Sequence, residues 1–126
     1  MKYCLLFIWA AAPVLAHHSF AAEFDSKKPV ELKGTLVELE WVNPHAWLFI
    51  DVKGTDGKAV GWRFEMGAPN ALLRAGWSKS DIKVGTPVTI SGFLARAGGP
   101  VGNAFQVRLP DGRDLFASSS IKDAPK

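Results

Sequence analysis

The 126-residue sequence contains a single cysteine, Cys4, standing ahead of an apolar run near the chain start. Once those first residues are removed, no disulfide, thiolate ligand or thiol nucleophile is left. Methionine is almost as scarce, with Met1 and Met66 the only two, so a methionine-rich Cu(I) carrier is excluded. No stretch reaches the roughly 20 apolar residues of a membrane-spanning helix. Neither sign of charge dominates, because 15 Lys and Arg face 12 Asp and Glu. The basic residues are scattered rather than gathered into a stripe, which argues against a nucleic-acid partner. Catalytic signatures are missing as well: there is no G-x-S-x-G, no P-loop, no H-E-x-x-H and no Cys/His pair. The chain therefore reads as a binding protein, with no catalytic residue assigned and no enzyme activity expected.

What is present begins with an export signal. Lys2 is followed by the ten apolar residues Tyr3 to Ala12, then by Pro13 and by Val14-Leu15-Ala16. That is the order of a secretory leader, with small residues at the −3 and −1 positions of a cut after Ala16. Cleavage there takes 16 of the 126 residues and leaves 110, a length that one domain with a single core accommodates without staples. The mature protein is expected to be periplasmic or secreted, with no membrane span. It divides into an N-terminal arm at 17–29, a barrel domain at 30–117 and a flexible tail at 118–126.

Hydrophobic alternation sets out the domain. Leu32, Gly34 and Leu36 share one phase, and Val37, Leu39 and Trp41 the other, so the inward face changes between Leu36 and Val37. A β-bulge or bend near Gly34 would absorb that slip. Asn43-Pro44 marks a turn, and Ala46 to Val52 a second strand with His45 at its tip. Thr55-Asp56-Gly57 turns the chain into a third strand, Ala59 to Met66, on which Val60, Trp62, Phe64 and Met66 share a face. A short helix follows from Pro69 to Ala75, with Gly76 as its stop. Val88 to Ala95 and Ala104 to Leu109 give two more strands, and Asp111-Gly112 a last hairpin into Leu115 and Phe116. The fold class expected is all-β: a small five-stranded OB-fold-like barrel with one short helix between strands 3 and 4. A seven-stranded sandwich would need more segments than the chain supplies.

The chain has three histidines, and two of them, His17 and His18, would open the mature protein. A free α-amine and an imidazole on His17 can chelate one metal ion, and a third nitrogen from His45, with His18 in reserve, would complete a T-shaped set of the kind called a histidine brace. Nitrogen donors in tetragonal geometry favour Cu(II), which makes copper the cofactor expected. With reference values of about 7.7–8.0 for the amine and about 6.5 for imidazole, binding near neutrality displaces roughly one proton. The site requires the arm to lie near the first interstrand loop, where Phe20 and Phe24 would pin it by burying their rings. The plainer account is a polar chain start and a turn histidine.

Aromatic residues form a second constellation. OB-folds bind ligands on the face of strands 2 and 3, and Trp47 and Phe49, with Trp41 and the acid Glu65, are the candidates for such a surface. Glu65 would pair with Arg63 or Arg74, or support a metal, with a solvated strand face as the plainer account. The alternative function is then a metal-free module binding a peptide, a glycan or a partner protein through aromatic side chains. A structural subunit of an envelope complex is a third class.

Together "HHSFAAEFD", "GTLVELEWVNPHAWLFIDV", "WRFEMGAPNALLRAGW" and "LPDGRDLFASS" resemble a family of exported proteobacterial proteins of unknown function, over nearly all of residues 17 to 120. The resemblance implies export and a small barrel-like domain, and no activity. His17, His18, Ser19, Phe20, Trp41, Asn43, Pro44, His45, Trp47, Glu65, Pro69 and Asn70 match its pattern.

Overall fold

The computed structural model describes residues 19–118. A four-residue helix, α1 (Phe20–Glu23), leads directly into the 17-residue strand β1 (Phe24–Glu40). Then come β2 (Trp47–Lys53), β3 (Ala59–Glu65), the helix α2 (Pro69–Arg74), β4 (Pro87–Ala95), β5 (Val101–Arg108) and a three-residue β6 (Asp114–Phe116). The strands order as β3-β2-β1-β4-β5-β6, and β3 also pairs with β5, which closes five strands into a barrel-like ring. The all-β, OB-like expectation holds, with one short helix between the third and fourth strands. Among the described residues no helix is long and apolar enough to cross a membrane.

β1 serves two neighbours because it is long and bent. Its first part, through Thr35, lies antiparallel to β4, and its last part, from Thr35 onward, lies antiparallel to β2. The phase slip read from the sequence is a bulge between Leu36 and Glu38, which leaves Leu36 in the core and Val37 exposed. Gly34 sits where the strand crosses from one partner to the other. A Cβ there would stand 2.7 Å from the Asp51 carbonyl oxygen, so only glycine allows that approach. β1 also begins at Phe24, inside the stretch expected to be an arm.

Inside the ring, Leu36, Leu48, Ile50, Phe64, Met66, Ile90 and Val107 are fully buried, and Leu72 from α2 packs with them. Trp77 follows the helix into the core and donates its Nε1 hydrogen to the Phe116 carbonyl at 2.8 Å. That bond ties α2's exit to β6.

Ring closure depends on β3 and β5 lying parallel, with Arg63, Phe64 and Glu65 opposite Val101, Gly102 and Asn103. A Cβ on Gly102 would stand 2.7 Å from Phe64 Cε1 and 2.8 Å from the Phe93 carbonyl oxygen. We predict that Gly102→Ala destabilises the protein by about 1–3 kcal/mol, the ordinary cost of overpacking. A urea midpoint unchanged from wild type would show that β5 yields without strain.

A second apolar cluster lies apart from the barrel core. Phe20 packs 5.7 Å from Phe24 and 5.7 Å, edge-on, from Phe93, and Phe93 lies 5.2 Å from Phe105. This cluster fastens α1 and the start of β1 to β4 and β5, as the sequence led us to expect of Phe20 and Phe24. Backbone bonds reinforce it: the Arg96 amide donates to the Glu23 carbonyl at 2.8 Å. Ser118, placed by the sequence in the tail, is buried. Residues 119–126, and residues 1–16 where the sequence predicts a leader, lie outside the described residues.

Candidate functional site

The site is built where the ends of β2 and β3 meet the docked arm. His45 lies in the loop before β2, after the cis Asn43–Pro44 bond. Its neighbour Ala46 is stitched beyond the β2–β3 ladder, donating to the Gly67 carbonyl at 3.1 Å and accepting from the Met66 amide at 2.8 Å. These bonds hold His45 beside the end of β3. Its Nδ1 lies 3.3 Å from Oε1 of Glu65. The imidazole is one-third exposed, and the carboxylate nearly buried.

Glu65 is the last residue of β3, opposite Trp47 on one side and Asn103 on the other. With only 9% of the residue exposed, it does not sit on a solvated face, and its partner is His45 rather than Arg63 or Arg74. Burial, and secondarily the charge of Glu23 from α1, push its pKa up from 4.5 to about 7. Asn103 is also buried, and its Oδ1 has no hydrogen-bond partner among the described residues.

A cleft of about 350 Å³ opens beside Glu65. Trp47, Arg63 and Val101 lie along its β2–β3–β5 face, with Ala22, Glu23 and Phe24 from the arm and Ala95, Arg96 and Ala97 from the β4–β5 turn around it. Arg96 fastens arm to turn: its Nε donates to the Ala21 carbonyl at 2.8 Å, and Nη1 is 3.8 Å from Asp25. Arg63 behaves differently. Its guanidinium lies over the Trp47 ring, 5.5 Å from the centroid, and no carboxylate of the described residues pairs with it.

Of the candidates drawn from the sequence, His45, Glu65 and Trp47 come together at this end of the barrel. Phe49 lies further along the same face of β2, opposite Arg63 and partly buried. Trp41 goes elsewhere, packing 6.3 Å from Trp77 and lining a separate groove with Val37, Ile82 and Val84. His17 and His18 lie outside the described residues, and among the described residues no three His, Asp or Glu side chains form a metal-binding group. The sequence reading missed Arg96 and Val101, which reach the cleft only through the β4–β5 turn. It left Arg63 as a mere partner for Glu65, although the Asp56-Gly57 turn sets the register that places Arg63 opposite Phe49.

Residues 6–104 match the model of a family of unknown function (DUF6152). No curated protein and no solved structure matches the chain.

Proposed function

We propose, starting from the fact that the chain belongs to this family of unknown function and takes no activity from it, that it is an exported copper-binding protein, periplasmic or secreted. One Cu(II) is held by the amine and imidazole of His17, freed by cleavage after Ala16, together with the imidazole of His45. His18 is a further nitrogen donor. The protein acts as a carrier, sensor or accessory protein rather than as an enzyme.

The observation that carries this reading is the contact between His45 Nδ1 and Glu65 Oε1 at 3.3 Å. A carboxylate against one ring nitrogen is the arrangement that orients a metal-binding imidazole and raises its basicity, leaving the other nitrogen for the ion. Here Nδ1 is engaged and Nε2 is left. The docked arm supports the same reading, since Glu23 is near enough to raise the pKa of Glu65, the residue His45 contacts. A buried carboxylate with a second one nearby also favours a cation at this point. Two described side chains do not make a copper site, so the proposal stands on His17 supplying the remaining nitrogens.

Copper titration of the processed protein tests it. Stoichiometric binding is expected, lost when one residue is added ahead of His17 and strongly weakened in His45→Ala. Binding that survives both changes overturns the site, and an exported protein whose mass places its first residue elsewhere than His17 overturns the chelate. Because the amine and imidazoles must be deprotonated to bind, affinity is expected to fall below about pH 6.

A further inference from the structure

We infer that the cleft between the docked arm, the β4–β5 turn and the outer face of β2, β3 and β5 binds a small organic monocarboxylate, received by the Arg63 guanidinium held over Trp47. The inference goes beyond the copper reading and uses neither His17 nor His45.

The cleft, at about 350 Å³, falls in the size range of small-molecule sites. Ala22, Phe24, Ala95, Ala97 and Val101 supply apolar walls, and Glu23, Arg63, Glu65 and Arg96 set charged groups among them. Of the two arginines, Arg96 is occupied in holding the arm, through Ala21 and Asp25. Arg63 is not. Held over the indole ring 5.5 Å from its centroid, the guanidinium keeps its N–H groups free to present a planar fork that matches a carboxylate bidentately. The ring fixes the fork in place, so less side-chain freedom is lost on binding. No carboxylate of the described residues occupies it.

The acids in the same cleft set the rest of the ligand. Glu65 lies two positions beyond Arg63 on β3, roughly 7 Å along the strand, and Glu23 also lines the cleft. A ligand with its carboxylate on Arg63 turns its other end toward these acids. A second carboxylate would find no free cation there, because Arg96 is held by Ala21 and Asp25, whereas a neutral or cationic end needs none. The class is therefore a monocarboxylate with an apolar body and a neutral or cationic far end, and dicarboxylates are excluded.

The test uses the full processed chain, stripped of metal with EDTA, and titrated by calorimetry with 3-phenylpropionate, its uncharged amide 3-phenylpropanamide and the dicarboxylate phenylsuccinate. Saturable one-to-one binding of 3-phenylpropionate is expected, with both relatives at least about tenfold weaker. Arg63→Gln should lose at least about tenfold, with Arg63→Lys intermediate, while Arg108→Gln, remote and paired with Asp114, should bind as wild type. Val101→Trp fills the cleft beside Arg63, its partner across the β3–β5 ladder, and should abolish binding. Equal binding of the acid and the amide, wild-type affinity in Arg63→Gln or Val101→Trp, or no saturable binding by any probe overturns the inference. Because metal is absent throughout, these results are separate from the fate of the copper reading.

Discussion

Glu65→Gln is expected to make the metal-free protein more stable above pH 7 and to flatten its stability between about pH 4.5 and 7. The reason is linkage. Burial first, and Glu23 second, raise the Glu65 pKa from 4.5 to about 7 in the folded protein. Between those two values the folded state keeps the proton and the unfolded state has released it. Stability then falls as pH rises, because the unfolded chain binds fewer protons. The loss is complete above the folded pKa and absent below the unfolded one. At about 1.4 kcal/mol per pKa unit, the wild-type decline is on the order of 3 kcal/mol. Glutamine keeps the shape without the titration, so the variant should lose the slope. Glu23→Gln should reduce the slope by less, since its charge is the smaller cause. Urea unfolding in EDTA at several pH values across this window measures all three proteins. A wild-type profile that rises through it would show that the carboxylate is not desolvated in this way.

The second large effect is expected of Phe24→Ala, at about 3–5 kcal/mol. Phe24 is only 3% exposed and packs against Phe20, yet it belongs to the outer cluster rather than the barrel core. Truncation should therefore loosen the arm while the ring of strands persists. Three readouts follow from that separation. The urea midpoint drops, a protease cuts the chain near residues 20–28 more readily than in wild type, and the pH slope due to Glu65 shrinks because both its burial and Glu23's proximity depend on the arm. Phe20→Ala should do the same more weakly, since that ring is only half-buried. A cost below about 1 kcal/mol with unchanged proteolysis would mean that the arm is held by Arg96 and backbone bonds instead.

Much of the barrel was legible because its signals are local. The phase change at Leu36 and Val37 encodes the bulge, the Asp56-Gly57 turn sets the β2–β3 register, and Pro69 and Gly76 bracket α2. The start of β5 was not, since Val101-Gly102-Asn103 follows glycines and reads as loop until β3 lies alongside it. The site divides in the same way. Trp47 and Glu65 are cross-strand partners that a hairpin register alone brings together. His45 reaches Glu65 only because Ala46 extends the pairing past the ladder to Met66 and Gly67, and Arg96 enters only because the arm folds back on the β4–β5 turn. Both are tertiary events with no periodicity to announce them. Trp41, attractive as an exposed aromatic, was claimed instead by Trp77.

The bond from Arg96 to Ala21 joins residues 75 positions apart, and the parallel β3–β5 contact joins strands separated by a helix and another strand. Pairings of such separation must pay the entropy of closing long loops before any contact is gained, so a chain of this topology should fold in milliseconds to seconds rather than microseconds. No short peptide cut from it can carry the cleft, whose lining runs from Ala22 to Val101, and recovery of carboxylate binding during refolding would serve as a clock for the closing of the ring.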